Sequence, residues 1–348
     1  MFDNYKLSAI ETVKTLCQFL HEKFYTFSTN SPKKISKAPQ ANLPYREIHE
    51  MLNAFYPHQN STYAELINTI RELTALILQS DVYYGNLFVK QLLPRLQKKP
   101  LIFPVPGGKI KLSFNFRRDL QTIINGGWEL KNINLIRRLI RPKDVIFDIG
   151  AHIGHYTIFT ASLIDKHGKV FAFEPAPSNF MFLNENLKYN NFDNSVKAFP
   201  IAISDMTGKI DFYQDGNTGG TEYSMFPNRH GKHGISFSVE TMPLDHFSEK
   251  QNIASVNFIK IDTEGSELKI LYGAKNILYN NPNIFLLIEL HPWVVKPIQI
   301  CSFLNEYKMN FYDINRNCQQ FTCDEATNRF LSGGDVLVTK LNYKTMNI

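Results

Sequence analysis

The sequence predicts an α/β fold in which a mostly parallel sheet is covered by helices on both faces, behind a helical N-terminal region. Short apolar runs (VIFDI, KVFAF, VKAFPIAI, VNFIKID and NIFLLIEL) alternate with helical stripes, and a parallel sheet is what such alternation builds, because each crossover needs a helix. The runs are apolar nearly throughout, as strands covered on two sides are. The first of them ends in a glycine turn, Gly150-Ala151-His152-Ile153-Gly154, which leads into a helix near His155.

The elements follow in order. Ile10, Val13, Cys17, Leu20, Phe24 and Phe27 recur at steps of three and four, the stripe of an amphipathic helix. A polar linker at 28–44, with Pro32, Pro39 and Pro44, separates it from a second stripe, Leu66, Ile70, Leu73 and Ile77. Residues 1–100 are thus a helical region of unassigned role, and 101–348 form the second domain. That domain opens with a hairpin over 101–116, where LIFPV and IKLSF flank Pro-Gly-Gly. A helix with Leu130, Ile133, Ile136 and Ile140 on one face runs to Pro142. Residues 211–244 break the rhythm with a polar, glycine-rich stretch and read as a surface insertion ending in an alternating strand.

Composition excludes several classes. Of 348 residues, 43% are hydrophobic and 20% charged, which suits a globular chain. The net charge of +6 is spread thinly, its densest clusters being Lys33, Lys34, Lys37 and Arg229, His230, Lys232, His233, so no nucleic-acid partner is expected. The longest uncharged apolar run, Ile284 to Ile288, is a strand's length, so no transmembrane segment is expected, and the N-terminus lacks a signal-peptide core. The expected compartment is cytoplasmic. Cys17, Cys301, Cys318 and Cys323 form no CxxC pair and are expected to be reduced thiols.

The chemistry concentrates at the carboxyl ends of the predicted strands, where ligands of open α/β sheets bind. A dinucleotide-binding turn needs a glycine where this chain has His152, which argues against a pyrophosphate. The strand KVFAF ends in Glu174, twenty residues after Gly154, placed for a carboxylate to accept ribose hydroxyls. A turn of this kind with such an acid fits a nucleoside without phosphates, and S-adenosyl-L-methionine is one. Its carboxylate would lie at the helix N-terminus and its ammonium on Asp148.

These residues, with Trp128-Glu129, DIGAHIG, FEPAPSNFMFLNENLKYN, AISDMTG, MPLD, FIKIDTEGSELKILYGA and FLLIELH in order, make the sequence resemble the FkbM-type family of S-adenosylmethionine-dependent methyltransferases, within the class I methyltransferase fold. The resemblance covers about Gly107 to Lys340. It implies a Rossmann-like, seven-stranded sheet with an antiparallel last strand, for which DVLVTK (335–340) is the candidate. It implies cofactor contacts from Asp148, Gly150, Gly154 and Glu174, with Ser204 or Asp205 near the adenine and Glu129 a further candidate. Asn184 and Asn186 are candidates to brace that site.

Methyl transfer to an alcohol needs an activated hydroxyl. Asp262, Glu264 and Glu267 fall within six residues, and Glu289 and His291 share a face by period two. The candidate catalytic residues are His291, Asp262 and Glu264. In one version His291 is the general base and a carboxylate orients its ring. In the other, Asp262, Glu264, Glu289 or His291 ligates a divalent cation. The metal-free version is preferred. Glu267 also reads as the first-turn acid of a helix.

The expected activity is O-methylation of a hydroxyl on a glycan, lipid-linked saccharide or secondary metabolite. A noncatalytic module that binds the cofactor or a partner, an N-methyltransferase and an NAD-dependent oxidoreductase are the alternatives. Adenine-N6 chemistry is disfavoured, because IDTEG stands where an NPPY or DPPY run belongs. The oligomeric state is left open.

Overall fold

In the computed structural model, residues 101–112, 129–214, 223–225 and 236–342 are described. The two N-terminal helical stripes, the linker and the basic cluster at 229–233 lie outside them. The compact unit that carries the site comprises residues 104–110 and 129–348.

Strands β1 (Leu101–Val105) and β2 (Gly108–Leu112) pair as the expected hairpin. Helix α1 (Leu130–Leu139) buries Ile133, Leu135, Ile136 and Leu139. It ends at Ile140, two residues before Pro142, whose ring disfavours helical geometry in the residue ahead of it. Leu130, expected on the buried face, is 56% exposed; Asn132 is buried instead, for reasons that lie in the site. The chain then alternates through β3 (Val145–Ile149), α2 (His155–Ala161), β4 (Lys169–Phe173), α3 (Pro177–Tyr189) and β5 (Val196–Phe199). Pro177 opens α3, where a missing N–H costs nothing.

The run VKAFPIAI does not form one strand. Pro200 has no N–H for a ladder, and beyond it β6 (Ala202–Ile203) leaves the main sheet. It pairs with β9 (Ser236–Met242), which in turn pairs with β7 (Gly208–Gln214), and β7 with β8 (Tyr223–Ser224). The segment read as a surface insertion therefore contains most of a second, four-stranded sheet. It has a small core of its own, Ala202, Phe212, Met225 and Val239.

After α4 (Leu244–Lys250) the chain continues through β10 (Phe258–Ile261), α5 (Glu267–Tyr272), α6 (Lys275–Asn280) and β11 (Phe285–Leu290). Then come α7 (Pro297–Asn305), β12 (Asn310–Asp313), β13 (Gln319–Phe321), α8 (Cys323–Arg329) and β14 (Gly334–Thr339). The main sheet has the order β13-β12-β14-β11-β10-β3-β4-β5. The parallel strands β11, β10, β3, β4 and β5 are contiguous, and β14 enters antiparallel between β11 and β12. The antiparallel last strand is as expected. The count is eight rather than seven, because the three-residue β13 adds an edge strand to β12.

Phe147, Phe171, Phe173, Phe199 and Phe247 form an aromatic cluster under β3, β4 and β5. Phe247 of α4 meets Phe173 edge-on at 4.7 Å. Replacing Phe247, which is 2% exposed, by Ala is expected to cost about 3–5 kcal/mol in urea unfolding. Tyr279→Ala, at a residue 78% exposed, is expected to change stability by less than about 0.5 kcal/mol.

Candidate active site

The site lies at the carboxyl ends of β3, β4, β10 and β11. Asp148 is 1% exposed near the end of β3, and its Oδ2 accepts a hydrogen bond from the Thr157 hydroxyl at 2.5 Å. Its Oδ1 is buried and accepts no hydrogen bond within the described chain. The turn that follows folds onto β4: the N–H groups of Gly150 and Ala151 both donate to the Phe173 carbonyl at 3.0 Å. Gly150 has φ +78°, and a Cβ there would lie 1.8 Å from the Asp262 carbonyl oxygen. The glycine is thus required by the packing of β10's end against the turn. Asn186, fully buried on α3, braces the turn by donating to the Ile153 carbonyl at 2.9 Å. Asn184 instead bonds the Phe180 carbonyl of its own helix.

Glu174 follows β4 and is 5% exposed. Its Oε2 accepts from the His152 N–H at 2.8 Å and its Oε1 from the Ala176 N–H at 2.9 Å. The acid is thereby locked beside the glycine turn, as expected from its position. Burial pushes its carboxyl above the ordinary carboxylate value, and His152 and the two backbone donors oppose that.

Lys260, which sequence reasoning passed over, sits at the centre. In register it lies beside Asp148. Its Nζ is 3.6 Å from Asp148 Oδ1 and 3.2 Å from Asp262 Oδ2, donates to the Gly150 carbonyl at 2.9 Å, and lies 5.1 Å from the centre of the Tyr156 ring. Burial alone would lower its pKa, but Asp262 and Asp148 outweigh it and hold the ammonium charged. Asp148 is more deeply buried and farther from the ammonium, so burial wins there and its carboxyl is raised. For Asp262 burial also works upward, but Lys260 and His291 prevail and the carboxyl is lowered.

Glu129, at the start of α1, belongs to the same group. Its Oε2 accepts from Asn132 Nδ2 at 2.9 Å and from the Tyr156 hydroxyl. Although the residue as a whole is exposed, desolvation of its carboxyl and then the charges of Asp335 and Asp262 push it up to about 7. Asp335, on β14 opposite Glu289, was not expected; its position follows from the antiparallel register. Ser204 and Asp205 are tied elsewhere. Ser204 donates its hydroxyl to Asp205 at 2.9 Å and its N–H to the Met242 carbonyl at 3.2 Å, and its own carbonyl packs on Gly273.

Beyond β10, Glu264 has a left-handed backbone, φ +60°, and Glu267 opens α5. Glu267 is fully buried and does what a first-turn acid does, accepting the Gly265 N–H at 2.9 Å. Its Oε1 also meets His291 Nδ1 at 2.9 Å. His291, 2% exposed after β11, turns its Nε2 to Glu264 Oε2 at 3.3 Å and to Glu289 Oε1 at 3.9 Å. The face shared by Glu289 and His291 is the one their spacing suggests. Burial would lower the imidazole's pKa, but Glu264 and Glu267 push it up to about 11. The two carboxylates thus favour the imidazolium form of His291, which is held between Glu267 and Glu264. Glu289 is pushed up to about 10, first by the adjacent Asp262 charge and then by burial.

A parallel sheet with an antiparallel strand inserted beside its last parallel strand, and an acid and a glycine turn at its carboxyl edge, is the arrangement of a class I methyltransferase domain. Residues 148–311 match the methyltransferase FkbM domain. The chain is similar to the hexuronic acid methyltransferase AglP of Haloferax volcanii, 27% identical over 61% of this chain and 83% of the relative. It is also similar to the 2-O-methyltransferase NoeI of Sinorhizobium fredii, 30% identical over 41% of this chain and 63% of the relative. A third relative, the 31-O-demethyl-FK506 methyltransferase FkbM of Streptomyces tacrolimicus, is 29% identical over 39% of this chain and 62% of the relative. The chain thus spans a little under two thirds of the second and third relatives. No helix among the described residues is long and apolar enough to cross a membrane.

Replacing Lys260 by Met would leave Asp148 buried without its cation. The expected loss is about 3–5 kcal/mol in urea unfolding. In the double variant Asp148→Asn/Lys260→Met the two losses should fall well short of additive.

Proposed function

We propose that the chain transfers a methyl group from S-adenosylmethionine to a hydroxyl oxygen of a glycan, a lipid-linked saccharide or a secondary metabolite. The observation that carries this reading is Lys260, whose ammonium reaches Asp148 on one side and Asp262 on the other. It joins the turn suited to a cofactor and the polar rim suited to an acceptor into one site. The names of the three relatives, a hexuronic acid methyltransferase, a 2-O-methyltransferase and a 31-O-demethyl-FK506 methyltransferase, support oxygen as the acceptor atom.

The residues present fit the cofactor. Asp148 offers a buried oxygen, Oδ1, whose ion-pair partner Lys260 Nζ lies beyond hydrogen-bond distance at 3.6 Å, suited to an amino group. Glu174 Oε2 takes one backbone N–H and keeps a lone pair for a ribose hydroxyl. When bound, S-adenosylmethionine supplies an electrophilic methyl group. Asp148, the turn from Gly150 to Gly154 and Glu174 would hold it, and Glu129, with its carboxyl shared between Asn132 and Tyr156, would border it. Ser204 and Asp205 have a smaller part in this reading, since Ser204 is committed to the second sheet. On the acceptor side, Asp262, Glu264 and Glu289 offer acceptors for hydroxyl groups. Trp293, 56% exposed and edge-on to His291 at 5.2 Å, offers an aromatic face to an amphipathic ring.

Cell extracts incubated with the protein and isotopically labelled S-adenosylmethionine should yield, by mass spectrometry, label in alkali-stable methyl ethers. Label in N-methyl groups alone would overturn the reading, as would calorimetry showing that NAD binds in preference to S-adenosylhomocysteine. Glu174→Gln keeps the side chain's shape and is expected to weaken S-adenosylhomocysteine binding at least about tenfold, with little change in melting temperature.

A further inference from the structure

We infer that Asp262, Glu264 and His291 form a binding site for one divalent transition-metal cation, which holds the acceptor at the rim of the sheet. The inference deepens the methyltransferase reading and rests on it for the acceptor, though not for the cation. One donor atom from each of the three residues lies within 4.8 Å of the others. Donors around a single ion bound at about 2.0–2.2 Å stand about 3–4 Å apart, so the side chains need to close only slightly.

A second observation is independent of that spacing. His291 is 2% exposed, and its Nδ1 is fixed at 2.9 Å by Glu267, itself fully buried and anchored by the Gly265 N–H at 2.9 Å. A buried carboxylate that accepts a hydrogen bond from Nδ1–H leaves Nε2 as the ligating atom, and carboxylate-oriented imidazoles of this kind are the usual support of metal-bound histidines. Here Nε2 points to Glu264 at 3.3 Å and to Glu289 at 3.9 Å. Glu267 spends its Oε1 on His291, Gly265 and, at 3.4 Å, the Thr263 hydroxyl, and it supports the site from outside the donor set.

The donor set names the ion class. Two carboxylate oxygens and one imidazole nitrogen suit Mn2+ or another transition cation better than Mg2+ or Ca2+, which favour oxygen throughout. Three protein donors leave positions open for the acceptor. An acceptor with two adjacent oxygens, such as a vicinal diol or a hydroxy acid, would chelate through them. The bound hydroxyl then loses its proton to water, its oxygen forms the new bond to the methyl carbon, and the carbon–sulfur electron pair stays on the departing sulfur.

The test uses the whole 348-residue chain freed of metal with a chelator and titrated with Mn2+ alone. Binding is followed by calorimetry and by loss of the free-ion electron paramagnetic resonance signal. One Mn2+ per chain is expected. Asp262→Asn and His291→Gln should each weaken binding at least about tenfold, and Glu267→Gln about 10- to 100-fold. Glu240→Gln, on an exposed position of β9, should change nothing. Each variant is checked for folding by its melting temperature and by S-adenosylhomocysteine binding. Folded protein that takes up no Mn2+, or folded variants that bind it as tightly as the parent, would overturn the site. Mn2+ binding without S-adenosylhomocysteine binding would uphold the cation site and sink the methyltransferase reading instead.

Discussion

The ammonium of Lys260 lies where β3 and β10 end side by side, each strand bringing a carboxylate to the same spot. Burying an ammonium costs several kcal/mol. Its attraction to one carboxylate at the 3.2 Å seen for Asp262 is worth about 5 kcal/mol at an effective dielectric of 20, so a single partner barely offsets that cost. The second carboxylate, the Gly150 carbonyl and the Tyr156 ring supply the rest. In return the cation neutralises two acids that would otherwise repel each other, and it fixes the turn on which Asp148, Gly150 and Glu174 depend. The position of the glycine turn relative to β10 is therefore set by electrostatics and by steric contact together, since Gly150 also admits the Asp262 carbonyl.

A different balance governs the neighbouring corner. Asp262, Glu264, Glu267 and Glu289 crowd around His291 there, and their charges favour the protonated forms of the imidazole and of Glu289. Asp262, Glu264 and His291 are the donor set of the cation site proposed above. The two adjacent corners thus answer one problem, crowded carboxylates at the end of a sheet, in two ways. One uses a covalently attached cation, and the other keeps its positive charge exchangeable.

Much of this was legible in the sequence. The buried strands, the glycine turn, Glu174 beside it and the shared face of Glu289 and His291 all follow from local pattern, because strand period and turn chemistry act over a few residues. What was missed depends on contacts distant in sequence. A lysine inside an apolar run carries no sign of being buried until β3 lies against it in register. Asp335 reaches the site only because β14 runs antiparallel to β11. That Glu267 and Glu264 reach His291 from the segment after β10 likewise depends on β10 and β11 lying side by side. Pro200 could have been read as the end of a strand, and that signal was overridden by the apolar residues on both sides of it. The helical N-terminal region has no counterpart among the described residues.

The placement of β14 has a consequence for how the domain is made. It is the last strand of the sheet in the chain, yet it lies in the interior, joining β11 to β12. A chain emerging from the ribosome can pair β3, β4, β5, β10 and β11 in turn, but until residue 334 is released β11 presents an open apolar edge and β12 has no neighbour toward the centre. Synthesis that stalls earlier leaves a nascent domain with a gap in its middle, open to pairing with another chain. The acid corner likewise gains Asp335 only when β14 takes its place beside β11.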